Sequence, residues 1–444
     1  MARFLFTIWP FAGHVHTNMA IAQALRARGH QVAVYTGRTV QATFEREGLR
    51  FFPFNRVSDE ELLQLLMSDL ATASVVRHPM RRLAVLRAWL VDTLPQQVGD
   101  QSEVLDAWQP NVVISDVTMW GMPLILQELR NIPVAVSLFM PGCMITGPDA
   151  PPWGLGLPRP RDWRTRAVVR LVKVATDLLT LGFRHRVNVL RRSYGLSSLS
   201  VDVQTFLGQM PLYLVPSTPE FDYQRRDLPP SVHYVGALVW NRPSDEPPTA
   251  WLKELPADQP LVHVTEGTMH AGPPLVLRAA AQGLANLPLQ VVMTSGKGRD
   301  PASLNLGPSA PNVQVERWVP HSDLLPRTDV MVTTGGGSTV VAALQAGVPM
   351  VVVPTQWDKP ENAQRVVEAG VGLRLAPRHC TPKRLRAAVE QVLKDPSFRQ
   401  NALRLATIFR GYGGAARAAE LLEGLSKYQI PNIQYPISFL GGVR

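Results

Sequence analysis

Apolar and polar positions along this chain fall into two alternating kinds of segment. Short apolar runs are each followed by a longer stretch whose apolar residues return every three or four positions. In the first half the runs are "RFLFTIWP", "HQVAVYTG", "NVVISD" and "IPVAVSL". The periodic stretch "NMAIAQALRARG" lies between the first two, and "WGMPLILQELRN" between the last two. In the second half the runs are "PLVHVTEG", "LQVVMTSG", "NVQVERWV", "DVMVTTGG" and "PMVVVPT", alternating with helical stretches such as "ENAQRVVEAG" and "TPKRLRAAVEQVLKD". In the last of these, Thr381 is placed to cap the helix and Pro382 to occupy its first position. Apolar strands set between helices are those of parallel sheets covered on both faces. The pattern predicts an α/β protein of two doubly wound, Rossmann-like domains.

A length of 444 residues suits two domains better than one core. The expected boundaries are a first domain over 1–240, a polar proline-rich linker "NRPSDEPPT" at 241–249, a second domain over 250–412, and a terminal helix and tail over 413–444. A second proline-rich segment, "PDAPPWGLGLPRPRDW" at 148–163, falls inside the first half and is expected to be a substrate-facing loop. With it, segments 62–90 and 165–192 are expected to line a pocket that is apolar with some arginine.

Composition narrows the setting. The chain is 45% hydrophobic and 18% charged, and no apolar run reaches the roughly 18 residues of a membrane span. The start "MAR" leads straight into an apolar strand, so the expected location is the cytoplasm. The two cysteines, Cys143 and Cys380, are far apart and lack metal spacing, which fits a reducing compartment. A net charge of +10 could serve nucleic acid, but the arginines are scattered and no nucleic-acid module is legible, so no such partner is expected. The densest basic stretch, "RPRDWRTRAVVRLVKVATDLL" at 159–179, mixes cationic and apolar residues as an interfacial helix does. A solvated helix face over a core is the simpler expectation, with membrane-surface association as the alternative; oligomeric state is left open.

Ligands of open parallel sheets bind beyond the carboxyl ends of the strands. His14 follows the first strand, where it is expected in a turn at the strand tip, and Asp116 ends the run "NVVISD". The two should face one crevice, where a carboxylate fixes the tautomer of an imidazole and stabilises its cation, as a general base requires. His16 is expected to be a loop or helix-entry residue. In the second half, Gly335, Gly336 and Gly337 follow a strand, and Ser338 and Thr339 open a helix. Glycines let a backbone approach phosphate, and a helix N-terminus offers free N–H donors. The segment has neither the lysine of a P-loop nor the spaced glycines of a dinucleotide site, which weighs against NTPase and dehydrogenase readings. Thr268 ends another strand, Trp318 and His321 lie upstream, and Asp358 and Lys359 follow the next strand. An indole stacks on a nucleobase, and a carboxylate accepts hydrogen bonds from sugar hydroxyls.

In this order the motifs "GHVHTN", "VISDVTMWGMPLILQELRNIPVAVS" and the block from Trp318 to Asn362 resemble the family 1 nucleotide-sugar-dependent glycosyltransferases of the GT-B fold, particularly bacterial enzymes that decorate natural products. The resemblance implies two Rossmann-like domains facing a central cleft, the first for the acceptor and the second for the donor, with "GGAARAAELLEGL" crossing back to the first. It implies His14 as catalytic base and Asp116 as its orienting carboxylate. Trp318 would stack on the base. Gly337, Ser338 and Thr339 would bind the diphosphate, with Thr268, His321, Thr333, Gly335 and Gly336 completing the nucleotide site, and Asp358 and Lys359 would meet the sugar. The implied reaction is inverting and metal-independent, uses no cofactor beyond the nucleotide sugar as co-substrate, and moves a sugar from UDP or dTDP to a hydroxyl of a mostly apolar small molecule. No Asp-x-Asp pair occurs in the chain.

Four features depart from the family pattern, one being that the proline common after the first histidine motif is absent, with Thr17 and Asn18 there instead. Thr333 stands where the family often has histidine, Lys359 where it has glutamine, and Val341 where many UDP-sugar users carry a ribose-binding glutamate. Val341 points to dTDP, which has no 2'-hydroxyl. The alternatives are a nucleotide-sugar 2-epimerase of the same fold and a non-catalytic partner protein that retains it.

Overall fold

The computed structural model describes residues 1–71, 79–240, 250–268, 273–296 and 299–427. The expected linker at 241–249 and the tail beyond residue 427 lie outside the described residues.

The first sheet contains β1 (Arg3–Thr7), β2 (Gln31–Thr36), β3 (Arg50–Pro53), β4 (Val112–Asp116), β5 (Val134–Ser137), β6 (Leu212–Val215) and β7 (Val232–Tyr234). Its order is β3-β2-β1-β4-β5-β6-β7, and every pairing is parallel. The second contains β8 (Leu261–Thr265), β9 (Gln290–Thr294), β10 (Val313–Glu316), β11 (Val330–Thr333), β12 (Met350–Val352) and β13 (Gly372–Arg374). It is also fully parallel, in the order β10-β9-β8-β11-β12-β13.

The absence of polar alternation in the strands has its cause in the layers. Leu5 packs with Tyr35 and Val113 on one face of the first sheet, while Phe4 and Phe6 pack with Val34, Ile114 and Met19 on the other. In the second sheet Val330 and Val332 face one core and Met331 the other. Thr381 caps the helix Pro382–Lys394 by accepting from the Arg384 N–H, and Pro382 takes the first position as expected. The last helix, Gly414–Ser426, buries Ala418, Leu422 and Leu425 against Phe4, Met19 and Leu212, so it packs on the first sheet.

Each strand order reverses direction once, between β1 and β4 and between β8 and β11. Such a reversal splays the flanking connections apart and leaves a crevice at the carboxyl ends. His14 follows β1 and Asp116 ends β4; Thr268 and the glycine turn follow β8 and β11. Both candidate sites therefore stand at the switch points of their sheets.

A buried row of charges joins the two halves. The Arg365 Nε donates to Asp222 Oδ1 at 2.8 Å and its Nη1 to Glu361 Oε2 at 3.1 Å, with the guanidinium 4.5 Å from the ring centre of Tyr223. The other oxygen of Asp222 accepts from the Cys143 N–H at 2.8 Å and from the Tyr234 hydroxyl at 2.9 Å. Glu361 Oε1 accepts from three consecutive backbone N–H groups, of Gly154 at 3.1 Å, Leu155 at 3.0 Å and Gly156 at 2.6 Å. The proline-rich loop of the first half is thereby tied to the helix Lys359–Glu368 of the second. Arg365→Met should leave Asp222 and Glu361 buried without their cation and cost about 3–5 kcal/mol in urea unfolding. Adding Asp222→Asn should restore part of that loss, so the double variant should be more stable than the sum of the single losses.

Candidate active site

His14 is not in a turn, as its place after β1 suggested. Phe11 is extended, and the helix Ala12–Ala27 begins at once, with the Val15 N–H bonded to the Phe11 carbonyl at 2.9 Å. His14 lies in the first turn of that helix; His16, in the same helix, packs edge-on against Trp240 at 5.4 Å. The His14 Nδ1 is 2.6 Å from Asp116 Oδ2. A carboxylate only accepts, so Nδ1 carries the hydrogen and Nε2 keeps the lone pair. Asp116 is fixed in turn, because its Oδ1 accepts from the Thr118 N–H at 2.8 Å and the Thr118 hydroxyl at 2.5 Å. The imidazole stacks on Phe139 at 3.8 Å between ring centres and meets the edge of Phe11. Ring and carboxylate together leave His14 one orientation.

His14 lines a cavity of about 770 Å³ between the carboxyl ends of the two sheets. That volume is in the range of small-molecule sites. Trp89, Phe139 and Trp153 give its first-sheet side an apolar wall, joined by Leu66, Arg82 and Leu86 from segment 62–90 and by Thr176, Thr180 and Phe183 from the helix Trp163–Ser193. Across it stand Thr268, Thr333, Gly336, Gly337, Ser338, Thr339, Asp358 and Lys359.

The glycine turn has specific causes. Gly335 has φ +88°, and a Cβ there would lie 2.6 Å from Val352 Cγ1. A Cβ on Gly337 would lie 2.9 Å from both Met140 Cα and the Phe139 carbonyl oxygen, so the backbone of the first half lies directly against the turn of the second. Gly337 opens the helix Gly337–Ala346, whose first N–H groups have no acceptor within the helix. The Gly337 N–H donates to Asp358 Oδ2 at 3.1 Å, which leaves the Ser338 and Thr339 N–H groups at the cavity wall. Thr333 Oγ1 accepts from the Gly335 N–H at 3.2 Å and retains its own hydrogen to donate.

Asp358 and Lys359 are both buried. Besides Gly337, Asp358 Oδ2 receives the Asn362 side-chain amide at 2.7 Å, and burial raises the carboxyl above its usual range. Asp358 therefore supports the glycine turn through one oxygen and has only the other for a ligand. Burial pushes the Lys359 ammonium down to about 8 against the opposing pull of Asp358 and Glu266, and its Nζ donates to Thr355 at 3.1 Å.

Two expected nucleotide contacts stand apart from the cavity. Trp318 and His321 are not among its lining residues. His321 meets the buried His263 edge-on at 5.6 Å, and desolvation pushes its imidazolium down to about 4. Segments 269–272 and 297–298, which follow β8 and β9 at the sheet end that carries Thr268, lie outside the described residues. Val341 also differs from expectation: it is buried in the apolar cluster with Met331, Val348 and Phe409, where a carboxylate would be desolvated.

The sequence reading missed several residues of the site. Trp357 takes a left-handed φ of +58°, rare for a bulky residue, and its indole meets Trp89 edge-on at 5.8 Å across the cavity wall. Neither periodicity nor turn chemistry signals a left-handed tryptophan. Phe139, which touches both His14 and Gly337, looks in sequence like the end of an apolar strand.

Residues 6–412 match the family model for UDP-glucoronosyl and UDP-glucosyl transferases. The chain belongs to this family. It is 34% identical over 96% of its length to 4'-demethylrebeccamycin synthase of Lentzea aerocolonigenes, covering 99% of that protein. It is 27% identical over 96% of its length to demethyllactenocin mycarosyltransferase of Streptomyces fradiae, covering 87% of that protein. Among solved structures, the glycosyltransferase VinC in complex with dTDP superposes with a TM-score of 0.70 at 21% identity, covering 96% of this chain and 99% of that one. The fold is GT-B, and this family member is a nucleotide-sugar glycosyltransferase of the natural-product type.

Lys359 sets a pH dependence that unfolding can read. Its ordinary value is 10.5 and its folded value about 8, so between these pH values the unfolded chain holds a proton that the folded chain lacks. Stability contributed by this group should therefore rise with pH through that window, by about 3 kcal/mol in all. The difference between wild type and Lys359→Met in urea unfolding at pH 7 and pH 10 should show that rise, and equal pH slopes would contradict it.

Proposed function

We propose that this glycosyltransferase is inverting, with His14 as general base and Asp116 as its positioning carboxylate. The observation that carries the proposal is the 2.6 Å contact between these buried side chains in a cavity that also holds the glycine turn. His14 Nε2 takes the proton of an acceptor hydroxyl while that oxygen bonds to the anomeric carbon. The bond from that carbon to the diphosphate oxygen breaks, and the nucleoside diphosphate departs toward Ser338 and Thr339. Base and leaving-group site come from opposite walls, so attack and departure are in line and the configuration inverts. The N–H groups and partial positive charge of the helix start, with the Lys359 ammonium nearby, stabilise the leaving diphosphate without a metal ion or further cofactor.

The division of labour follows the halves: residues 1–240 for the acceptor, 250–412 for the donor, and 413–444 returning to the first. Trp89, Phe139 and Trp153 suit a mostly apolar acceptor bearing the attacking hydroxyl. Asp358, through its remaining oxygen, and Lys359 meet the sugar, and Thr268 and Thr333 meet the phosphates. Trp318 and His321 belong to the base end, beyond the cavity lining. The nucleotide is dTDP in preference to UDP, which the dTDP carried by VinC supports. The relatives reported above leave the epimerase reading without support of its own, and the intact His14–Asp116 contact speaks against a non-catalytic partner.

Nucleoside diphosphate release from dTDP- and UDP-sugars, assayed over an acceptor panel with and without excess EDTA, tests this reading. Release should persist in EDTA and be faster with dTDP-sugars than with UDP-sugars. His14→Ala should lower kcat by roughly 10²–10⁴-fold with nucleotide affinity unchanged, and adding Asp116→Asn should lower it little further. Full turnover by His14→Ala, or rescue of an EDTA-treated enzyme by Mg²⁺, would overturn the mechanism.

A further inference from the structure

The helix Trp163–Ser193 carries apolar residues on two sides. Its inward side buries Val169 and Val187 and lines the cavity with Lys173, Thr176, Asp177 and Thr180 beside Phe183. Its outward face carries Leu171, 70% exposed, with Val174 and Leu178 at 55% and 63%, and Val168 one turn earlier. These positions return every three or four residues and form one continuous apolar stripe. The expected solvated face over a core holds in part: Val169 and Val187 are buried, Phe183 and Leu190 pack on the first core, and most of the helix's arginines are exposed, but the exposed face also carries this apolar stripe. Apolar side chains at core spacing here face away from the core.

The charges around the stripe say what covers it. At its start Arg161, Arg164, Arg166 and Arg170 are exposed, with the Arg164 guanidinium over the ring of Trp163, itself 72% exposed, and Arg166 paired with Asp149 at 3.1 Å. At its end Arg192 and Arg186 are exposed, the latter paired with Asp92 at 3.2 Å. The helix's acids are engaged locally: Asp162 caps the N-terminus by accepting from the Thr165 N–H at 2.8 Å, and Asp177 pairs with Lys173 at 2.8 Å on the cavity side. A second copy laid antiparallel on the stripe would set arginines against arginines at both ends. A flat anionic surface meets the whole pattern, with leucines entering the acyl boundary, a tryptophan at the headgroups and arginines on the phosphates.

We infer that the outward face of this helix docks on an anionic lipid bilayer. The surface argument is independent of the reaction. Together with the acceptor reading above, it places the helix that walls the cavity against the membrane, where an apolar acceptor concentrates.

Co-sedimentation of the full chain with vesicles, without donor or acceptor, tests the inference separately from catalysis. Vesicles of phosphatidylcholine with about one-third phosphatidylglycerol should bind roughly tenfold more protein than phosphatidylcholine alone, with the difference reduced in high salt. Leu171→Asp with Leu178→Asp should abolish binding at unchanged circular dichroism and Tm, and Arg164→Gln with Arg170→Gln should remove the preference for anionic vesicles. Failure of the wild type to bind anionic vesicles, or undiminished binding by the leucine variant, would overturn it. So would a dimer in light scattering that the leucine variant dissolves while vesicle binding is absent, since that outcome assigns the stripe to a second copy.

Discussion

Arg365 is the residue on which the geometry of the cleft depends. It is buried between two carboxylates, Asp222 from the first half and Glu361 from its own helix, and Glu361 in turn gathers the N–H groups of Gly154, Leu155 and Gly156. Charges removed from water are tolerated only when every one has its partner, so the row has a single satisfied arrangement. That arrangement sets the helix Lys359–Glu368 against the proline-rich loop and the carboxyl ends of the two sheets face to face. A hydrophobic contact of equal area would permit sliding; a row of directional bonds does not.

The consequence for chemistry runs through Phe139. Its ring stacks on His14, and its carbonyl and the neighbouring Met140 touch the position a side chain on Gly337 would occupy. His14 and the glycine turn are thereby spaced by one short backbone segment. Asp358 joins the same arrangement from the other side, because the oxygen that holds the Gly337 N–H also holds Asn362. The glycine turn is thus partly built from groups that first stabilise it, and what they offer a ligand is what remains.

The helix Trp163–Ser193 buries Val169 and Val187 and still leaves a second apolar row outside. Thr176, Asp177 and Thr180 give the cavity wall polar groups, while Leu171 and Leu178 lie on the outer surface. An exposed apolar stripe of this length marks an interaction surface, and its arginine ends select the charge of what it meets.

The fold class and most of the strands were legible in the sequence, because strands buried on both faces are mostly apolar, as β1, β2, β4, β5, β8, β9, β11 and β12 are, and the half-buried edge strand β10 still repeats valine at every second position. The edge strands β3, β7 and β13 are short and only partly buried, and β6 is a four-residue apolar run that local pattern does not distinguish from a buried helix segment, so these four were not read. His14, Asp116, the glycines, Asp358 and Lys359 were legible because unusual residue types at strand ends stand out against an apolar background. Three things only the tertiary structure decided. Val341 belongs to the core and not to the cleft, because helix rotation is set by packing against Phe409 and its neighbours. Trp357 takes a left-handed φ that no local pattern signals. Arg365 and Glu361 are one helical turn apart, but Asp222 meets Arg365 across 143 residues of chain, and no local pattern carries information about a partner so distant.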